Sequence, residues 1–407
     1  MSGKKDAFFI NKDRIKYLLD LYELTEESFL VLFNGDRKRK ISFDNFHRIN
    51  AGAVGVDINY LKRLEKIFGC GLTWAAVKES APIRKNRSIF FRKKSFNTDF
   101  DFYSKKVVSE YENLKFRIEV LSHYVDFDLK DRINKVYTIG DSPATAAEEM
   151  NEEFDRIRRK LSADKIIKNG RDDKTYLSNL IRIFGELNIF IFEHLEAPVK
   201  KEKVSFDGFF ISPNMIVVKR QQKYLRREIF TLLHEFAHYL LGVEEVDDDD
   251  DDRIFRVESA VEKWCHSFAF HFLLGREKQA FVALETADSG NDFDYAAVEN
   301  IYDKTKLSIQ AIYTNLLIGG KIGRIAYEKI TDEINKNIRE NEVKRKIAQD
   351  ERKDSGAVVF GSPKPIVSNI FKELVVSNFF EGNINEPELR SFLNISQKCP
   401  IEDIVYS

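Results

Sequence analysis

Two histidines and a glutamate in the segment HEFAH, residues 234–238, have the spacing of a metal-dependent hydrolytic site. On an α-helix, residues four apart lie one above the other, so His234 and His238 project from one face with Glu235 beside them. Two imidazoles in this arrangement can share one Zn²⁺ at about 2.0–2.1 Å per nitrogen. The Glu235 carboxylate can then accept a proton from a zinc-activated water. We therefore predict zinc ligands and a neighbouring general base.

Two helices must position these groups. The apolar run Phe230–Leu241 ends at Gly242, and a second helix is predicted over Phe255–Leu274, ending at Gly275, because glycine commonly terminates helices. A catalytic zinc site takes three protein ligands and leaves one position for water. Three side chains near one face of the second helix are candidates for the third ligand: Glu258, Glu262 and His266. In the alternative interpretation, the histidines are ordinary core residues, but burying two imidazoles and a carboxylate without a shared partner is costly.

Both segments resemble the ImmA/IrrE family of zinc metallo-endopeptidases, gluzincin-like proteins often joined to helix-turn-helix modules. The matching stretches are RREIFTLLHEFAHYLL at 226–241 and VEKWCHSFAFHFLL at 261–274. Carried over by position, the resemblance implies that Glu262, and not Glu258, is the third ligand. Three positions differ from the family pattern, which has Ala, Asn and Pro where this chain has Cys265, His266 and Gly275.

The resemblance also implies roles for the neighbouring side chains. Glu235 would accept the proton and later pass it to the leaving amine. Tyr239 and His266 are candidates for stabilising the oxyanion. Alternatively, His266 orients Glu262 as a hydrogen-bond donor. His271 is off the four-residue repeat and is predicted to be structural.

The fold class predicted is α+β and mostly α-helical, with a gluzincin-like zinc peptidase domain flanked by helical domains. Strands are predicted at Ile189–Phe192, Val204–Ile211 and Met215–Lys219, the last two as a hairpin beside the zinc helix. An edge strand of this sheet could bind an extended peptide. Four domains are predicted along the chain. An N-terminal helix-turn-helix-like module (1–80) is followed by a basic connector with long helices (81–170), the peptidase domain (171–330) and a C-terminal helix-turn-helix-like module (331–407).

The helices of the flanking modules are predicted from helical periodicity, and the N-terminal cluster resembles the helix-turn-helix-related module joined to some ImmA/IrrE proteins. N-terminal helices are expected at Asn11–Tyr22, Thr25–Phe33 and Val56–Phe68, and C-terminal ones at Val367–Phe380 and Asn385–Leu393. Either module could contact DNA. The alternatives are dimerisation or substrate docking at the N-terminus and a repressor partner at the C-terminus.

Two charged runs lie outside the predicted metal site. A basic run that contains two aromatic residues could bind nucleic-acid phosphates and bases, or could be a solvated connector; its basic residues are Arg84, Lys85, Arg87, Arg92, Lys93 and Lys94. The acidic stretch Glu244–Asp252 is predicted to be a solvated loop.

Composition excludes several classes of protein. The 407 residues carry a net charge of −1, so any nucleic-acid contact must come from a local patch. Three widely separated cysteines do not make a disulfide framework. The expectation is a cytoplasmic protein with no membrane partner, because the chain shows neither a signal peptide nor an apolar run of about 18 residues.

The resemblance implies a zinc endopeptidase that inactivates a helix-turn-helix repressor or an antitoxin by a specific cut. Such a cut would relieve transcriptional repression in a mobile element, a stress response or a defence system. The main alternative is a non-enzymatic DNA-binding regulator or adaptor with a structural or degenerate metal site. A further alternative is a toxin-like protein held inactive by its flanking domains.

Overall fold

The computed structural model describes residues 7–35, 37–80, 101–130, 132–133, 135–168, 170, 172–195, 203–220, 224–244, 246–248, 259–285, 295–354 and 366–405. The chain divides into two compact units, Met1–Leu114 with Lys201–Ser205, and Lys115–Lys200 with Phe206–Ser407. The fold is α+β and mostly α-helical, which confirms the predicted class. The finer division into four domains stays a prediction.

The first unit is a cluster of short helices around an aromatic core. Its elements are α1 (Lys12–Tyr22), α2 (Glu26–Asn34), α3 (Phe43–Asn50), α4 (Ile58–Phe68), a 3₁₀ turn (Trp74–Ala76) and the first part of α5 (Phe102–Tyr124). The three predicted helices are confirmed as α1, α2 and α4. Helix α3 is absent from the sequence prediction, although Phe43, Phe46 and Ile49 recur every three residues along its two turns. It contributes Phe46, whose ring lies 4.8 Å from that of Phe29.

Most of the described helices lie in the second unit, and several begin at a capping side chain, namely Ser142, Asp172, Ser259, Ser308 and Asn385. They are α6 (Pro143–Ala163), α7 (Asp173–Glu186), α8 (Leu225–Leu241), α9 (Ala260–Leu274), α10 (Lys278–Val282), α11 (Tyr295–Lys304), α12 (Ile309–Ile318), α13 (Arg324–Asp354), α14 (Asn369–Phe380), α15 (Glu386–Phe392) and α16 (Ile401–Val405). The predicted cap at Asn385 is confirmed, because its side chain accepts a hydrogen bond from Glu388 N in a capping box. Whether the terminal helices act as helix-turn-helix modules stays a prediction.

A four-stranded sheet supports the second unit. It consists of β1 (Phe190–His194), β2 (Phe206–Ile211), β3 (Met215–Lys219) and β4 (Val246–Asp248), in the order β1-β3-β2-β4. Strand β1 is parallel to β3, whereas β2 is antiparallel to both β3 and β4. The predicted hairpin and its neighbouring strand are thus confirmed. Helix α8 packs against β2 and β3 and also against α9, which places the HEFAH segment in the core of this unit.

The prediction of a solvated loop in the acidic stretch is wrong for three of its residues. Val246–Asp248 forms β4 and pairs with β2, whereas the sequence predicts a solvated loop over Glu244–Asp252. A run of like charges has a low strand propensity, and only the unpaired edge of β2 gives these residues a hydrogen-bonding partner. The side chain of Glu244 also accepts a hydrogen bond from Ser212 N at 2.7 Å, beside the β2–β3 turn. Residues 249–252 lie outside the described ranges.

Within the ranges given above, every helix is too short or too polar to span a lipid bilayer. The three cysteines, Cys70, Cys265 and Cys399, are not joined by a disulfide in the described residues. Burial raises the pKa of the Cys70 thiol to about 11.

Candidate metal centre

Helix α8 is buried on nearly all sides, which explains its continuous run of apolar residues. Leu232, Leu233 and Phe236 are completely buried. The helix ends as predicted at Gly242, whose φ of 65° lies in the left-handed region that glycine adopts without strain. A polar side chain in this helix must therefore be satisfied within the core.

Helix α9 brings the distant carboxylate to α8. Its first turn is fixed by Ser259, whose Oγ accepts a hydrogen bond from Glu262 N at 3.1 Å. The helix ends at Leu274, before Gly275 with a φ of 49°, as predicted. Its start at Ala260 lies later than the predicted Phe255, and residues 251–258, including Glu258, lie outside the described ranges.

The side chains of His234, His238 and Glu262 converge on one point. The two Nε2 atoms lie 3.2 Å apart. His234 Nε2 lies 3.0 Å from Glu262 Oε2, and His238 Nε2 lies 3.5 Å from Glu262 Oε1. Among the described residues, this is the cluster of metal-binding side chains whose donor atoms all lie within 4.8 Å of one another.

These separations fit a zinc ion. Two ligands at 2.0–2.1 Å from a tetrahedral Zn²⁺ stand about 3.3–3.4 Å apart, close to the three observed distances. Two neutral nitrogens and one carboxylate are also the donor set of many catalytic zinc sites. The exposed fraction of the side chain is 23% for Glu262 but only 6% for His234 and 0% for His238. Solvent therefore reaches the cluster from the Glu262 side.

The electrostatics of the cluster favour an ionised carboxylate. Burial raises the pKa of Glu262, but the hydrogen bonds and positive charges of His234 and His238 outweigh burial and hold this pKa below its ordinary value. A carboxylate that is already ionised suits metal binding, because a ligand must lose its proton before it binds a cation.

Residues 187–313 match the family model of the IrrE N-terminal-like domain, Peptidase_M78. This range contains all three converging side chains and Glu235, and it points to a metallopeptidase. It covers the sheet and helices α8 to α11. A comparison with curated proteins finds no match to the chain.

Glu235 is completely buried, one residue after His234 on the same helix and within the range that matches the family model. The assignment of Glu235 as general base stays a prediction from the motif.

The two candidates for oxyanion stabilisation lie in different surroundings. The ring of His266 lies 5.1 Å from that of Phe230, and His266 Nε2 lies 3.4 Å from Asn315 Nδ2. The ring of Tyr239 packs at 5.7 Å against Phe210 and against Phe236. Both roles stay predictions, as does the alternative in which His266 orients Glu262.

A buried ionic cluster beside the N-terminus of α8 is absent from the sequence analysis. Arg220, just after β3, contacts Glu193 of β1 and lies 3.2 Å from Glu228 of α8. Both carboxylates are completely buried. Glu193 also accepts a hydrogen bond from Ile366 N. The only signal in the sequence is a charged residue within an apolar strand, which does not identify its partner.

Two further arginines anchor the same helix. Arg227 Nη2 lies 2.7 Å from Asp207 Oδ2 of β2. Arg226 donates hydrogen bonds to the carbonyl oxygens of Tyr302 and Leu307 at 2.8 and 2.9 Å. Helix α8 is therefore fixed to the sheet and to the helical region that follows it. The six predicted nucleic-acid contacts, Arg84, Lys85, Arg87, Arg92, Lys93 and Lys94, lie outside the described ranges.

Proposed function

We propose that this chain is a zinc-dependent endopeptidase that cleaves a helix-turn-helix repressor or an antitoxin. The observation that supports the reaction is the convergence of His234, His238 and Glu262 beside the buried Glu235. The match to a metallopeptidase domain gives independent support for the reaction. The substrate class rests on the resemblance of the two helical segments to the ImmA/IrrE family.

Each side chain of the site has a distinct task in the proposed reaction. His234, His238 and Glu262 would hold Zn²⁺, which supplies a Lewis acid and lowers the pKa of a coordinated water towards about 7. Glu235 accepts a proton from the attacking water and donates it to the nitrogen of the departing amine. The apolar core around α8 excludes bulk water and so strengthens the electrostatic effect of each charged group.

The proposal is tested with the 407-residue chain and with candidate helix-turn-helix repressors, beginning with any that is encoded beside its gene. We expect one cut in the repressor, located by mass spectrometry, when the protein is loaded with zinc. Removal of zinc by a chelator should stop cleavage, and stoichiometric zinc should restore it. If the zinc-loaded protein instead binds repressor or DNA without cutting any partner, the adaptor alternative replaces the endopeptidase.

Zinc is also expected to stabilise the folded protein. A ligand at 100 times its Kd adds about 2.7 kcal/mol to the free energy of unfolding, which corresponds to a rise of about 5 °C in melting temperature. Glu262→Ala should abolish this rise, because it removes the charged ligand. The control is Glu299→Ala, which changes an exposed residue of α11 and should respond to zinc like the wild type. Equal zinc responses in both variants would exclude Glu262 as a ligand.

A further inference from the structure

Gly208 of β2 lies directly against the part of α8 that carries Glu235. A methyl group added at Gly208 would lie 2.8 Å from Thr231 Cγ2 and 2.9 Å from Glu235 Cγ. It would also lie 3.1 Å from Glu235 Oε1. Contacts between carbon atoms are normally about 3.5–4.0 Å, so the added methyl would overlap both side chains. The missing side chain of Gly208 therefore forms the space in which the Glu235 carboxylate lies.

Backbone conformation does not explain this glycine. Gly208 pairs with Val218 of β3 and with Asp247 of β4, and the β2–β4 register shifts between Phe206 and Gly208. Its φ nevertheless lies outside the left-handed region that would require glycine. Alanine could adopt the same backbone angles without strain. What requires glycine here is the close approach of strand and helix.

The strand and the helix are held together on both sides of this contact. Asp207, which precedes Gly208, is 5% exposed and forms the ion pair with Arg227 of α8. Phe210, two residues after Gly208, packs its ring 5.7 Å from that of Tyr239 of α8. An added methyl group therefore cannot be accommodated by a simple separation of β2 from α8. The more mobile partner is the Glu235 side chain, which can rotate about its χ angles.

We propose that Gly208 is a positioning residue for Glu235, a role that rests on the proposed endopeptidase function. By leaving room for the Glu235 side chain, it fixes the carboxylate at the distance at which it can take a proton. A general base must lie within about 2.6–3.2 Å of the proton donor, and a displacement of about 1 Å can lower the rate about 10²-fold. The zinc ligands are untouched, because the added methyl overlaps Thr231 and Glu235.

The test compares Gly208→Ala with three other variants of the full-length protein. Thr231→Ser removes the methyl group that would be nearest to the new side chain, and the double variant Gly208→Ala/Thr231→Ser keeps only the overlap with Glu235. Gly185→Ala on helix α7 is the matched control. Its methyl group would also meet a side chain at a distance that is too short, since it would lie 2.6 Å from Asn369 Oδ1. The substrate is one internally quenched peptide, selected from a mixed-sequence pool as the one that the wild type cleaves best.

For Gly208→Ala we expect about one zinc per chain, KM within about twofold of the wild type and kcat lowered about 10²-fold. The double variant should keep the low kcat, whereas Thr231→Ser and Gly185→Ala should remain close to the wild type. A wild-type kcat in Gly208→Ala, its recovery in the double variant, or a loss of zinc in Gly208→Ala would each overturn the positioning role.

A crystal structure of the zinc-loaded double variant gives a result that does not depend on activity. We expect the Glu235 carboxylate to be displaced while the zinc ligands keep their places. A carboxylate in its original position would overturn the proposal, even if the protein cleaves no peptide. If the wild type itself binds zinc but cleaves nothing, the endopeptidase function fails, and the crystal structure still decides whether Gly208 positions Glu235.

Discussion

Replacing Glu235 with glutamine is expected to lower the rate of peptide cleavage about 10²–10⁴-fold, while the protein keeps its zinc. Glutamine has nearly the same shape as glutamate but cannot accept the proton of the attacking water. The completely buried position of Glu235 makes replacement by a solvent base unfavourable. The three metal ligands are unchanged, so zinc content should stay at about one per chain. A cleavage assay on the repressor substrate measures the loss of rate, and metal analysis measures the zinc content.

The control for this variant is Glu299→Gln, the same substitution at an exposed position of α11. It should cleave at the wild-type rate. Cleavage by Glu235→Gln within about threefold of the wild type would rule out Glu235 as the general base, since acid–base catalysis contributes at least about 10²-fold. Loss of zinc from this variant would show instead that Glu235 helps to hold the metal.

Replacing Arg220 with methionine is expected to lower the free energy of unfolding by about 3–5 kcal/mol. Arg220 is 3% exposed and contacts Glu193 and Glu228, both of which are completely buried. The substitution removes the Arg220 cation from between two carboxylates, and a buried charge that loses its counter-ion is strongly destabilising. Denaturation with urea, followed by circular dichroism, measures the change.

Arg158→Met provides the comparison for this loss of stability. Arg158 pairs with Asp155 three residues earlier on α6, and their side chains are 39% and 46% exposed. An exposed ion pair contributes about 0–1 kcal/mol, so this variant should unfold almost like the wild type. If the two variants lose equal stability, the buried cluster does not have the energetic role given to it here.

Local patterns predict the elements of this protein well. Of the helices that carry the candidate metal centre, α8 shows a continuous apolar run and α9 begins at the cap Ser259. Both end at a glycine, and all of these signals depend on residues near in sequence. The spacing of His234 and His238 follows from one helical turn, so the sequence alone indicates that they lie together. Glu262 is different, because its approach to these residues depends on how α8 packs against α9. The resemblance to a family, and not periodicity, identifies it in the sequence.

The remaining features depend on contacts between distant segments. Strand β4 forms in a charged stretch because β2 offers an unpaired edge. Gly208 is one glycine in an apolar strand, and its importance is visible only when Glu235 and Thr231 are placed beside it. Arg220 likewise meets Glu193, 27 residues away in the chain. Sequence periodicity reports which face of an element is buried, but it does not report the partner of a buried polar group.

The hydrogen bond from Ile366 N to Glu193 has a consequence for shortened forms of the protein. A second hydrogen bond comes from α14, where the buried Asn378 donates to the carbonyl oxygen of Leu121 at 3.0 Å. Deleting the residues after 365 would therefore remove both donors, and the acceptors on β1 and near the end of α5 would lose these hydrogen bonds. The segment that begins at Ile366 is therefore part of the scaffold of the second unit, and proteolytic trimming before it would remove both of these hydrogen bonds.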